Sequence, residues 1–340
     1  MNNSIKDYDY FLPKDLIADS PREKREQAKL MIYDYESNSV CHSIFTEISK
    51  NIEEGDMLIL NDTKVIPGRL FLKKKSGGTV EILFHKSIDN FKIMCIYKSS
   101  RKIDIGSTLY LNDNNYFLVD DVKNNLITLS TKDDPMNIFL KYGSVPLPKY
   151  IKRESNNTDV DRYQTVYAKH KGSVAAPTAG LHFTDDIISK LKNKGVIIDF
   201  LTLHVTYNTF KPIKEENYML HDIGSELCHI QEDLVTNINS VKKNNKKVYA
   251  VGTTVTRALE NYASKSYHGS FFGEADLYIT PGYDFKVIDG LITNYHLPQS
   301  TLLLLVASFI GKDRLLKLYE TAINQNYRFY SYGDSMFIKK

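Results

Sequence analysis

Between Ala175 and Thr184 the chain reads Ala-Ala-Pro-Thr-Ala-Gly-Leu-His-Phe-Thr. This tract carries no formal charge and sets one imidazole, His182, among small residues. An imidazole exchanges protons near neutral pH, and small residues let backbone approach a ligand closely. Thr184-Asp185-Asp186 follows, then Ile187, Ile188, Leu191 and Gly195. That order is an N-cap, an acidic first turn, an apolar face and a glycine stop, so a helix is predicted there. His182 would then sit just before free helical N–H groups, which favour anionic ligand atoms. Three more polar loops follow strand-like runs: Asn61-Asp62-Thr63-Lys64, Gly252-Thr253-Thr254 and Asn294-Tyr295-His296. His204 ends a fourth run, Val196 to Val205. In open α/β sheets ligands bind at the carboxyl ends of strands, so Asp62, His204, Thr253 and His296 are candidates as a set.

The elements that must position these groups differ along the chain. Ser20-Pro21-Arg22-Glu23 has the form of a capping box, and a helix is predicted from it through Leu30 toward Tyr35. Met57 to Leu60 and Val248 to Val251 read as buried strands, and Leu277 to Ile279 as another. Helices are predicted through Arg257 and from Thr301 to Ile310. Strands alternating with helices argue a mixed α/β architecture for residues 1–64 and 146–340. Residues 65–145 are different. Short β-prone runs such as Val80-Glu81-Ile82, Tyr116-Phe117-Leu118 and Leu126-Ile127-Thr128 are separated by Gly, Asn and Asp clusters. A small inserted all-β, barrel-like domain is expected there.

With 340 residues, 42% hydrophobic and 25% charged, the chain has the composition of a globular protein of two domains. Three dispersed cysteines form no C-x-x-C pair and suggest a reduced, cytoplasmic setting without disulfides or zinc. The polar N-terminus lacks an apolar h-region, so no signal peptide is expected, and the longest apolar run is too short to span a membrane. Net charge is only +3, yet residues 141–171 hold seven Lys/Arg against three acids, with Tyr142, Tyr150, Tyr163 and Tyr167 interleaved. Cations neutralise phosphates and aromatic faces stack on unpaired bases, so nucleic acid is a candidate partner. No dinucleotide or P-loop phosphate cradle and no nucleophile elbow is present. His221-Asp222 has the look of a metal phosphohydrolase pair, but no matching ligand set accompanies it, and no metal site is expected.

Several ordered tracts together resemble one family. They include Leu60 to Leu70, Gly143 to Ile151, Asp161 to Tyr167, Ala175 to Thr184, Thr202-Leu203-His204-Val205 and Val251-Gly252-Thr253-Thr254. Pro281-Gly282-Tyr283, His296 to Thr301 and Tyr327 to Asp334 continue the series. The chain is similar to the S-adenosylmethionine:tRNA ribosyltransferase-isomerases of queuosine biosynthesis. That resemblance implies transfer of the ribosyl part of S-adenosylmethionine onto 7-aminomethyl-7-deazaguanine at the tRNA wobble position. Epoxyqueuosine-tRNA forms, and adenine and methionine leave. S-adenosylmethionine would be a consumed substrate, no cofactor would be needed, and the protein would be a monomer with no membrane partner.

The same resemblance implies roles. His182, His204, His296 and Asp62 are the catalytic candidates, His182 ranked first, since a base must take a proton beside the sulfonium and adenine must receive one. Arg257 or Gly252, Thr253 and Thr254 would hold the methionine carboxylate. Asp62, Glu226 and Asp334 compete to accept from the amidine edge of the base, and Tyr283, Tyr295 or Tyr332 would stack on it. Arg69, Thr178, Gly180 and Asn294 would line the substrate site. Lys149, Lys152, Arg153, Arg162, Lys169 and Lys171 would bind tRNA. The chain departs from the family's pattern at Thr206, Tyr207 and Asn208, where two close-approach glycines are usual, at Gly224 where a histidine is usual, and at Lys149. These changes fit a distant active member, or a paralogue that binds tRNA or S-adenosylmethionine in a reshaped pocket.

Overall fold

The computed structural model describes residues 3–148, 150–206 and 213–340. Tyr207, Asn208 and Lys149 lie outside the described residues. The chain divides into two compact units. One comprises Met1–Thr63, Thr165–His170 and Pro177–Lys340, and the other Lys64–Gln164 and Lys171–Ala176. The smaller unit is thus wider than the 65–145 span expected from sequence. Residues 146–164 pack with it because the Gln164 side chain bonds both main-chain groups of Val65, at 3.0 and 3.2 Å.

In the larger unit, nine strands among the described residues form one sheet. Their order is Phe271–Ala275, Glu226–Ile230, Ile197–Leu203, Met57–Asn61, Val248–Val251, Gly290–Asn294, Ser335–Lys339, Lys29–Asp34 and Ser39–Ile44. Four neighbours, from Ile197–Leu203 to Gly290–Asn294, run parallel. Met57–Asn61, Val248–Val251 and Gly290–Asn294 are buried at every position, as parallel strands covered on both faces must be. The helix Asp185–Asn193 forms where its signals predict. Thr184 Oγ1 accepts from the Ile187 N–H, and Ile187 and Leu191 enter a core with Leu58, Leu60, Val251 and Phe337. Ser300 likewise caps Thr301–Ile310.

Two predicted elements are corrected. Residues 20–28 form no long helix: a short 3-10 turn at Arg25–Gln27 precedes a strand, Lys29–Asp34. The strand wins because Lys29–Asp34 pairs on both sides, parallel to Ser335–Lys339 and antiparallel to Ser39–Ile44. Leu277 to Ile279 is not a strand either; the strand lies just before it, at Phe271–Ala275. The Asp276 and Leu277 N–H groups donate to Asn261 Oδ1 instead of to a ladder.

In the smaller unit, six antiparallel strands close a barrel in the order Leu126–Ser130, Lys92–Ser99, Thr79–Ser87, Arg69–Lys74, Thr108–Tyr110 and Tyr116–Lys123. Their inward positions alternate with exposed ones, as in Arg69–Lys74, where Leu70 and Leu72 are buried and Phe71 is exposed.

Candidate active site at the carboxyl edge of the sheet

The four parallel strands end side by side, and each end carries one of the polar groups read from the sequence. Met57–Asn61 leads into Asp62 and Thr63, Ile197–Leu203 into His204, Val248–Val251 into Gly252, and Gly290–Asn294 ends on Asn294 itself. Asn61 ties two of these ends together: its Nδ2 donates to the Leu203 carbonyl and its Oδ1 accepts from the Leu203 and Thr63 N–H groups. Antiparallel pairing of Gly290–Asn294 with Ser335–Lys339 sets Asn294 opposite Ser335, so Asp334 arrives at the same edge.

His204 is half-buried, and its Nδ1 lies 2.8 Å from Thr63 Oγ1. Burial lowers its pKa to about 4, helped by the nearby His170, so the ring is neutral at pH 7. Asp62 immediately precedes the Thr63 that holds this ring. Its Oδ1 accepts from Thr202 Oγ1 at 2.6 Å, and its Oδ2 is 3.5 Å from His170 Nε2. His170 was not singled out from sequence, where it sits between Lys169 and Lys171 and reads only as part of a basic run.

His182 ends the 3-10 turn Thr178–His182 and is almost wholly buried. Its ring packs against Phe45 with centroids 5.0 Å apart, and Asn294 Nδ2 reaches its Nε2 at 3.3 Å. The Asn294 amide nitrogen also faces the Tyr330 and Asp334 carbonyls, which fixes it as the donor and leaves the His182 proton on Nδ1. Burial holds this histidine near pKa 4, against the opposing pull of Asp334 and a bond to the Arg25 backbone. Gly180 is required here: a Cβ would stand 2.1 Å from the Tyr167 hydroxyl. Thr178 opens the same turn, half-buried.

Other candidates fall into framework positions. His296 is buried, with Nε2 on Thr293 Oγ1 at 2.9 Å, its N–H on Tyr319 Oη and its carbonyl on Tyr10 Oη. Burial alone takes its pKa to about 3. Asp334 has no exposed surface and accepts from Arg22 Nε and Nη2 and from the Lys29 and Arg328 N–H groups, so its oxygens are occupied by the chain. Tyr295 is fully buried among Tyr319, Tyr327 and Phe329, and Tyr332 is 5% exposed. Tyr283 is half-buried and donates to Glu260. Gly333, just before Asp334, leaves no room: a Cβ would lie 2.5 Å from the Arg328 carbonyl oxygen. Gly333→Ala is expected to lower stability by about 2 kcal/mol or more through backbone displacement, read as a fall in urea midpoint.

At the other end of this edge, Arg257 Nη2 pairs with Glu226 Oε2, both side chains buried. Glu226 Oε1 accepts from the Thr206 N–H at 2.8 Å. Glu226 therefore faces a guanidinium rather than an open amidine site. Gly252 takes φ +93° and begins the helix Thr253–Ser264, which directs its first N–H groups into the strand-end region. Among the described residues no three His, Cys, Asp or Glu side chains gather as a metal site would need.

In the smaller unit, Arg69 forms an ion pair with Glu81 at 3.2 Å. Arg153 is bidentate on the buried Asp159 (2.6 and 2.8 Å), which also closes the capping box of the helix Asn157–Arg162. Arg153 is thus committed to the fold, and Arg162 is half-buried. Lys152 and Lys171 are exposed, and so is Lys169 in the larger unit. Tyr163 is buried and Tyr167 packs on Phe200, so neither offers a stacking face.

Residues 5–338 match the family model described as queuosine biosynthesis protein. S-adenosylmethionine:tRNA ribosyltransferase-isomerase from Vesicomyosocius okutanii is 43% identical over 99% of this chain and 98% of that protein. The enzyme of the same name from Halothermothrix orenii is 44% identical over 98% and 99%. A crystal structure of S-adenosylmethionine tRNA ribosyltransferase from Thermotoga maritima shares 31% identity and a TM-score of 0.58, covering 98% of this chain and 99% of its own. The chain belongs to the queuosine biosynthesis protein family, among its S-adenosylmethionine:tRNA ribosyltransferase-isomerases.

Proposed function

We propose that the protein moves and isomerises the ribosyl part of S-adenosylmethionine onto 7-aminomethyl-7-deazaguanine in the wobble position of a tRNA. The products are epoxyqueuosine-tRNA, adenine and methionine. One observation carries this reading: a neutral, half-buried His204, oriented by Thr63, stands beside Asp62 at the sheet edge where the helix Thr253–Ser264 also begins. The sulfonium acidifies the neighbouring 5′ carbon, so a neutral imidazole within reach suffices as base. His204 takes that role in preference to His182, whose ring is packed on Phe45 and tied to Asn294. All three candidate histidines are neutral at pH 7, so none holds a proton for adenine at the outset. The proton taken from the 5′ carbon makes His204 an imidazolium, and that imidazolium returns it to the departing adenine.

The test is incubation with S-adenosylmethionine and tRNA carrying 7-aminomethyl-7-deazaguanine. Adenine release and added ribosyl mass on the tRNA are expected; absence of both rejects the reading. The exposed Lys152, Lys169 and Lys171 support tRNA phosphates as a partner. Affinity for tRNA is expected to fall at least about tenfold between 50 and 200 mM salt, as counterion release by a few lysines requires. Equal affinity at both salts would remove these lysines from the interface.

A further inference from the structure

Lysine and arginine are unevenly shared between the two units. The smaller one holds eighteen of them against eleven Asp and Glu, a net +7 in a chain whose total is +3, so the larger unit is net −4. A surplus of that size attracts polyanions. The tyrosines of the 141–171 tract do not all complete such a site, since Tyr163 is buried and Tyr167 packs on Phe200. The barrel supplies exposed rings instead. On its outer face Phe71 is 54% exposed and Tyr110 39%. Lys73 lies two residues after Phe71 on the same face and directly opposite Tyr110, which in turn faces Tyr116 on the next strand. The Tyr110 and Tyr116 ring centroids are 6.4 Å apart, and Lys132 Nζ sits 5.5 Å from the Tyr116 centroid. Lone exposed rings are ordinary, but here rings and ammonium groups alternate across three neighbouring strands. Lys73 Nζ donates to Thr79 Oγ1, a neutral group, at 2.7 Å and so keeps its charge. Glu81, the acid opposite Phe71, is paired with Arg69.

Resting on the tRNA reading above, we propose that this strip of the barrel binds an unpaired stretch of the RNA substrate. Phe71 and Tyr110 stack on bases, and Lys73 and Lys132 take the neighbouring phosphates. Every base has a π-face, so such a strip holds a single strand without reading its sequence. Duplex RNA fits it poorly, because paired bases are already stacked on one another.

The probes are an unstructured oligouridylate of about ten nucleotides and tRNA carrying 7-aminomethyl-7-deazaguanine, each titrated with the whole protein and read by fluorescence anisotropy. Phe71→Ala and Tyr110→Ala are each expected to weaken binding of both by about tenfold, the loss of one stacked base. Phe71→Tyr and Tyr110→Phe keep a ring and should bind as the wild type does. Lys73→Gln and Lys132→Gln should each take about 0.7 from the slope of log affinity against log salt. Phe272→Ala removes a still more exposed ring, 72%, from the larger unit and should change neither affinity. No binding of the oligouridylate by the wild type, or alanine variants that bind both RNAs as tightly as the wild type, overturns the proposal. A fall in sedimenting mass of Phe71→Ala with RNA affinity unchanged would assign this face to a second copy of the chain and overturn it too. Ring-dependent RNA binding without adenine release by the wild type would uphold the strip and reject the reaction; adenine release with ring-independent RNA affinity would do the reverse.

Discussion

Replacing His204 with alanine is expected to lower kcat for adenine release by about 10²–10⁴-fold, the usual span for losing a positioned general base. Its neighbours support a local effect. The ring is half-buried and its one side-chain hydrogen-bond partner among the described residues is Thr63 Oγ1, so its loss leaves the sheet edge tied by Asn61. The urea midpoint should therefore change little. His182→Ala should behave differently: removing a buried ring packed on Phe45 opens a cavity and strips the Asn294 amide of an acceptor. About 2–4 kcal/mol of stability should go with it, whatever happens to the rate. A His204→Ala protein turning over within threefold of wild type would remove that residue from the mechanism. The pH profile gives a second check. A base with its pKa lowered to about 4 stays active as pH falls from 8 to 5.5, whereas an ordinary histidine would lose about tenfold across that range.

Much of this site was legible because its signals are local. The small-residue tract ending at His182, the Thr184 and Ser300 caps and the strand-end loops each depend on a few adjacent residues. Parallel pairing then gathers those loops at one edge, as the alternation of strands and helices implies. What was misread depends on distant partners. Ser20-Pro21-Arg22-Glu23 has helix-start chemistry, but Arg22 is drawn to Asp334, 312 positions along the chain, and Lys29–Asp34 is claimed by the sheet. The same pair explains Asp334: nothing in Ser-Tyr-Gly-Asp shows that an arginine and two backbone N–H groups already occupy the carboxylate. Arg153 and Tyr163 repeat the lesson within the basic tract. Composition counts charges and rings, whereas burial decides which of them face solvent.

Acid should unfold this protein in a window that its buried histidines define. His182 and His296 are buried, with pKa values lowered by that burial to about 4 and about 3. In the unfolded chain both return to about 6.5. Between pH 6.5 and 4 the unfolded chain therefore binds protons that the native state refuses, so stability rises with pH and falls as the solution is acidified. Each group costs about 1.4 kcal/mol per pH unit, so together they remove on the order of 6 kcal/mol by pH 4. That is comparable to the whole stability of many domains. Carboxylates act in a lower range: Glu215, held at about 2 chiefly by its bond to His221, loses its contribution only as pH falls from about 4.5 toward 2. Urea titrations at pH 7.5, 6.0, 5.0 and 4.5 should show stability dropping steeply below pH 6. His296→Gln, which keeps a polar group near Thr293 but cannot titrate, should remove roughly half of the slope. Equal stability at pH 7.5 and 4.5 would mean that these rings gain protons without opening the fold, and the buried, neutral assignment of His182 and His296 would fail with it.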